Sequence, residues 1–262
     1  MKKSLNTEPP EKLVTQKQLN RRNILSLAGA AGFTALIWNR WRWLYKSPEE
    51  AAGITGSARK PLRQALNQNE LLLRKTFSND HLVKTYPKSK ADPNVRINSE
   101  IGIDDEGFDS KNWALTVTKK DGSKLKISLE DIMDLPKTEI VYDFKCVEGW
   151  DQISYWGGLK FSDFIEHFNL EEESKLQYVG LATPDEAYYV GIDMPSALHP
   201  QTMLAYEMNG QLLQLKHGQP LRLIIPVKYG IKNLKRIGSI TFSEERPPDY
   251  WAEQGYDYYS GL

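Results

Sequence analysis

Between Trp113 and Phe242 the chain is a succession of short apolar or alternating runs, punctuated by glycine, proline and asparagine, with few and short helical stretches between them. Trp113–Thr118 and Lys124–Ser128 alternate about a Lys120-Asp121-Gly122-Ser123 turn and predict a hairpin. Glu139–Phe144, Leu176–Ala182, Ala187–Ile192, Met203–Met208 and Leu221–Pro226 predict further strands. Helical stretches are confined to Leu129–Leu135, stopped by Pro136, and to Ser162–Phe168, entered through a Gly157-Gly158 turn with Ser162 as its cap. A regular strand-helix alternation is absent, so the class is α+β with mixed or antiparallel sheets and short helices.

At 262 residues and 40% hydrophobic content the chain suits one large domain with an extension, and its core needs no staples. Lys and Arg total 34 against 34 for Asp and Glu, and no basic patch interleaves with stacking aromatics, which sets nucleic acid aside as a partner.

The first fifty residues follow another logic. Lys2, Lys3, Lys12 and Lys17 precede Arg21-Arg22, and an Ala- and Gly-rich apolar run from Leu27 to Trp38 follows. This is the layout of a twin-arginine export signal, and it places the body outside the cytoplasm, in the periplasm. Ile24 to Trp38 falls short of the roughly 20 apolar residues a membrane span needs. Arg40, Arg42, Trp41 and Trp43 behind it are interfacial residue types, and Gly56-Ser57-Ala58 is a weak, late cleavage signal. Residues 1–50 therefore read as a signal or a retained N-terminal membrane anchor, 51–76 as a linker and lead-in helix, and 77–262 as the functional domain.

Cys146 is the single cysteine, at the end of the strand-like run Glu139–Phe144 and ahead of a turn containing Gly149. Without an intramolecular disulfide partner it is a buried hydrophobe, a nucleophile or a soft metal ligand. Export exposes an idle thiol to oxidants, which favours a protected sulfur. A nucleophile would need a nearby base, and His167, His199 and His217 are candidates with no local motif.

Five blocks in order give the chain a family resemblance. Phe144-Lys145-Cys146-Val147-Glu148-Gly149-Trp150, Trp156-Gly157-Gly158-Leu159, Leu204–Gly210, His217-Gly218-Gln219-Pro220-Leu221-Arg222-Leu223 and Tyr229–Lys235 together resemble the sulfite-oxidase superfamily of molybdopterin-dependent oxidoreductases. The resemblance covers roughly Phe77 to the C-terminus, and it implies that fold. It implies a molybdenum-molybdopterin cofactor, with Cys146 as the one protein ligand of the metal, a soft donor suited to it. It further implies that Asn79, His81, Thr183, Arg222, Asn233 and Lys235 contact the pterin, with His217 beside it. Arg222 offers a planar fork for phosphate and Lys235 a point charge.

Within the superfamily the chain resembles the branch of periplasmic protein-methionine-sulfoxide reductase catalytic subunits. It shows no C-terminal immunoglobulin-like dimerisation domain, which points to a monomer, and no haem-attachment motif, so no haem is expected in this chain. That resemblance implies oxygen-atom transfer, with an oxidised protein or a small S- or N-oxide as substrate and a membrane haem-containing or quinone-linked electron donor. Sulfite oxidation is the alternative, disfavoured because Asp151 follows the cysteine where those relatives carry arginine. A non-catalytic binding protein on the same fold is the other. Asp151, Tyr155 and Trp156 are candidates for the substrate mouth. A long insert between Asn79 and Cys146 and the histidine at position 81 mark the chain as divergent.

Overall fold

In a computed structural model describing residues 16–46, 59–103 and 108–261, the chain divides into two compact units, residues 1–48 and 49–262. Lys2, Lys3, Lys12 and the Gly56-Ser57-Ala58 stretch lie outside the described residues. The first unit holds helix α1 (Gln16–Lys46), which carries Arg21, Arg22 and the apolar run. No described helix is long and apolar enough to cross a membrane.

The second unit begins with α2 (Lys60–Thr76) and continues through β1 (Leu115–Thr118), β2 (Lys124–Ile127), α3 (Leu129–Met133), β3 (Thr138–Lys145) and β4 (Asp151–Lys160). It proceeds through α4 (Phe161–His167), β5 (Tyr178–Ala182), β6 (Tyr189–Asp193), α5 (Met194–Ala197), β7 (Met203–Met208), β8 (Gln211–Leu212), β9 (Arg222–Ile224), β10 (Ser239–Ser243) and α6 (Tyr250–Glu253). Two five-stranded sheets result. One has the order β2-β1-β10-β5-β6, with β1 and β10 parallel and the other pairs antiparallel. The other runs β3-β4-β7-β8, with β9 also on β7, and is antiparallel throughout. This is the α+β class expected.

Local chemistry accounts for several elements. Leu115 and Val117 are fully buried while Thr116 and Thr118 are half-buried, the period of two of a strand with one core face. Asn209 and Gly210 both take positive φ between β7 and β8, as a two-residue hairpin turn requires. Ser128 caps α3 reciprocally with Asp131. Leu115, Val117, Phe164, Leu181, Leu204 and Ile240 help build the main core, and Tyr142, Trp156, Ala205 and Ile224 part of a smaller cluster under β3, β4 and β7.

Two local expectations are corrected. Gly157-Gly158 is no turn: β4 runs straight through it, with a bulge between the two glycines where β4 meets β7. A Cβ on Gly158 would stand 2.6 Å from Ala205 Cα, so glycine is there for close backbone approach. Consequently α4 starts at Phe161 with Lys160 in the cap position, and Ser162 instead donates to Asp163 at 3.0 Å.

Two irregular segments pack against this framework. From Thr85 the chain runs along the β3–β4 hairpin, with Tyr86 N donating to Val141 O and Asp92 N to Ile153 O, both at 2.9 Å, and Arg96 N to the Gln152 side chain at 2.8 Å. The tail after β10 is built in rather than loose: Asp249 caps α6, and Tyr258 and Tyr259 are buried.

Candidate active site

Cys146 sits in the tight turn joining β3 to β4. Its N–H donates to Trp150 O at 3.0 Å and its carbonyl accepts from Gly149 N at 3.1 Å. Gly149 supplies the positive φ of 86° that closes the turn. The turn faces a cavity of about 300 Å³. The pleat decides which neighbours join it: Phe144 and Cys146 on one strand, and Gln152, Ser154 and Trp156 on the other, line the cavity. Tyr155, one position out of phase, lies elsewhere, donating to Glu139 beneath the Lys88 ammonium. Of the expected mouth residues, Trp156 is in the wall, Tyr155 is not, and Asp151 lines an adjoining groove with Trp150 and Gln152.

Asn98 Nδ2 lies 3.4 Å from Cys146 Sγ and donates to it. The cysteine is only 4% exposed, and burial pushes its thiol up from the ordinary value. None of the four histidines lines the cavity, so no imidazole stands ready to deprotonate the thiol.

The opposite wall is cationic. Arg222 on β9 is buried, stacks at 4.6 Å on the Trp156 ring, and donates to His217 O at 3.0 Å and Asn233 O at 3.3 Å. Its Nε has no partner, and burial pushes its pKa down to about 10. Asn233 is fixed by accepting from Ile225 N at 2.8 Å and donating to Tyr229 O at 3.1 Å. Lys235 donates to Asn98 O and to Ser99 O, the latter at 2.9 Å, tying this wall to the segment around Asn98. Burial first, then Arg222, lowers its pKa to about 7.

Of the residues expected at a cofactor, Cys146, Arg222, Asn233 and Lys235 converge on the cavity. His217 is buried next to it and contributes its carbonyl to Arg222; its ring is pushed down to about 4 by burial and by the Arg222, Lys235 and Lys216 charges, so it stays neutral. Thr183 is buried on the far side of Tyr188, bonded to Asp185 at 2.5 Å and to Tyr188 N at 3.1 Å, and lines a different groove. Asn79 and His81 are exposed and do not line the cavity; the His81 carbonyl meets the His199 ring at 3.2 Å. Their place is taken by Arg96, Asn98 and Ser99. Tyr188, Trp251 and Tyr256 complete the wall, and none of them lies in the five sequence blocks. Only Pro247-Pro248-Asp249, a break followed by a cap residue, signals that the tail refolds.

The donor set fits a metal held by a ligand of its own. Among the described residues no three His, Cys, Asp or Glu side chains converge anywhere, so a metal at Cys146 must draw its other donors from a bound molecule. A buried guanidinium whose Nε has no partner and a half-buried ammonium in the facing wall suit the anionic groups of such a molecule.

Comparison with known proteins agrees. The oxidoreductase molybdopterin-binding domain matches residues 102–251, more than half of the chain. A protein of Azospira oryzae, "Putative protein-methionine-sulfoxide reductase subunit YedZ1", is 34% identical over 71% of this chain and 70% of its own length. The protein-methionine-sulfoxide reductase catalytic subunit MsrP of Campylobacter jejuni is 32% identical over 60% of this chain and 59% of its own length. MsrP of Burkholderia mallei is 28% identical over 93% and 76%. The sulfane dehydrogenase SoxCD of Paracoccus pantotrophus superposes on 53% of this chain and 40% of its own at 16% identity, with a TM-score of 0.48. The chain is an oxidoreductase that belongs to the molybdopterin-binding domain family and is homologous to the MsrP catalytic subunits.

Proposed function

We propose that this protein is an exported molybdenum-molybdopterin enzyme that reduces S-oxides, protein methionine sulfoxide foremost, with electrons from a membrane partner that carries haem or draws on quinone. The observation that carries the reading is a single shielded thiol facing unneutralised cations across a cavity, in a chain homologous to proteins named for that reaction. When bound, the cofactor would supply the two-electron chemistry that takes oxygen from sulfur.

The chain's own residues then divide the remaining work. Cys146 would bind the metal as its protein ligand, and the Asn98 amide, donating to the sulfur, would favour the thiolate. Arg222, pinned by Trp156 and two carbonyls, would fork onto a phosphate, with Lys235 and Asn233 adding donors. Trp150, Tyr188 and Trp251 would exclude water and receive the thioether, since sulfur packs well against aromatic rings. Burial of the thiol and the absence of histidine from the cavity both oppose a cysteine nucleophile.

Arg96, stacked at 4.9 Å on Trp150 at the mouth, is the feature that favours an oxyanion such as sulfite instead; Glu148 in the same turn opposes it. Export rests on Arg21-Arg22 and the apolar run behind them, in a helix too short in apolar length to span. Arg21→Lys with Arg22→Lys is expected to leave the protein in the cytoplasm on fractionation.

The deciding experiment is molybdenum content by plasma mass spectrometry with an artificial-donor assay against methionine sulfoxide and sulfite. Stoichiometric molybdenum and sulfoxide reduction, both lost in Cys146→Ala, are expected. Folded wild-type protein without molybdenum, purified from a host that makes the cofactor, would sink the reading.

A further inference from the structure

Helix α2 docks on the body with its polar face. Arg63, Asn67, Glu70 and Arg74 fall on one stripe, and Arg63 and Glu70 are buried, while Leu62, Leu71, Leu72 and Leu73 are exposed. Sinking charges in place of leucines is unfavourable unless those charges meet specific partners. Arg74 donates to Gln177 and to Tyr178 of β5, and Tyr178 also donates to Glu70; the remaining partners lie in the tail around α6. Ahead of it, Arg246 is held by Glu70 and donates to Asn67 Oδ1 at 2.8 Å. Arg63 donates to the main-chain carbonyls of Ala252, inside α6, and of Tyr256, just behind it, the second at 3.2 Å.

Together the two grips span the part of the tail that enters the cavity. Trp251 and Tyr256 both line it, pack edge to face at 5.1 Å, and are joined by Tyr256 N donating to Trp251 O at 3.0 Å. The far side of α6 is anchored too, because Asp249 caps it and pairs with Lys232, next to the cavity residues Ile231 and Asn233.

We infer that Arg63 is a positioning residue for substrate: from the lead-in helix it fixes the Trp251–Tyr256 wall at the height a sulfoxide side chain needs. The inference rests on the proposed sulfoxide reduction for what the wall receives, and on the hydrogen bonds alone for what holds it. Arg63 touches neither the cavity nor Cys146, so its removal loosens a wall and leaves the metal side intact.

The test uses the full-length holoenzyme with Arg63→Met and Arg63→Lys. Three quantities are read: molybdenum content, kcat and KM for methionine sulfoxide with an artificial donor, and amide exchange across 249–256. Arg63→Met should keep its molybdenum and kcat, raise KM about tenfold, and speed exchange of 250–256 about tenfold while β5 is unchanged. Arg63→Lys, which still donates to a carbonyl, should recover most of the KM. Trp251→Leu leaves the grip of α2 in place and should reproduce the KM rise, which keeps the test open if Arg63→Met folds poorly. Unchanged KM in Trp251→Leu, or unchanged tail exchange in Arg63→Met, would overturn the inference. So would losses of molybdenum, kcat and global protection that run in parallel with KM, the pattern of a merely structural arginine. If wild-type enzyme carries molybdenum but reduces no sulfoxide, the proposed activity fails alone, and tail exchange still decides whether Arg63 holds the wall.

Discussion

Replacing Arg222 with methionine separates what the guanidinium costs the metal-free protein from what it contributes to anion binding. Burial lowers its pKa to about 10 from 12.5. At 1.36 kcal/mol per pH unit this is a penalty of about 3 kcal/mol for holding the charge. The folded state binds this proton less tightly than the unfolded chain, so the penalty is present in full below about pH 10 and fades only as pH rises toward the unfolded value. Methionine abolishes the penalty but forfeits two charge-assisted hydrogen bonds to carbonyls, about 1.5 kcal/mol each, and a stacking contact with Trp156 worth about 1 kcal/mol. The terms nearly cancel. Metal-free Arg222→Met should unfold in urea within about 2 kcal/mol of wild type, with an unchanged slope. Cofactor retention should behave oppositely, because two charge-assisted bonds to a phosphate are worth about 3 to 6 kcal/mol. Molybdenum content should fall to under about a tenth of wild type. A metal-free variant destabilised by more than about 4 kcal/mol, or one that keeps its molybdenum, would refute the view that this arginine is held for an anion.

Other perturbations discriminate further. Because burial raises the Cys146 thiol, alkylation of metal-free protein should be slower than that of a free cysteine at pH 7 and accelerate only at alkaline pH, and loaded protein should resist altogether; rapid labelling at neutral pH would revive the nucleophile. Gly158→Ala forces a Cβ against the β7 backbone at 2.6 Å and should cost at least about 3 kcal/mol in chemical denaturation, whereas Gly122→Ala, in open space but at φ 83°, should cost about 1. The His217 ring is depressed to about 4, so the unfolded state binds its proton first as pH falls; stability should be full above about 6.5 and drop by about 3 kcal/mol towards pH 4. His217→Gln should flatten that slope, measured as the urea midpoint at pH 7 and pH 4.5, and an unchanged slope would mean the ring is not held neutral.

The strands were legible wherever a two-residue period met a turn residue. Leu115 and Val117 against Thr116 and Thr118, and Asn209-Gly210 between β7 and β8, declare themselves within a few residues. Gly157-Gly158 misleads for a physical reason: glycine there answers the β7 backbone lying against it, a contact made by residues almost fifty positions away, and reads locally like a turn. Ser162, likewise, has the chemistry of a cap but stands one residue inside a helix whose start is set by the end of β4.

At the site, the sequence by itself determined the groups that need only one neighbour to be meaningful. Cys146 before a glycine turn, and Arg222, Asn233 and Lys235 in their ordered blocks, are tied to β3, β9 and the turn after β9, and all four reach the cavity. What only the tertiary structure decided is which distant segments close it. Asn98 reaches the sulfur because the Thr85–Arg96 stretch is hydrogen-bonded along β3 and β4, and no pattern near Asn79 or His81 distinguishes those residues from Asn98. Trp251 and Tyr256 enter the wall because α2 and Lys232 hold the tail across β6. Periodicity and turn chemistry are local and can be read along the chain, whereas hydrogen bonds between segments over a hundred residues apart leave no local mark, and here they complete the cavity.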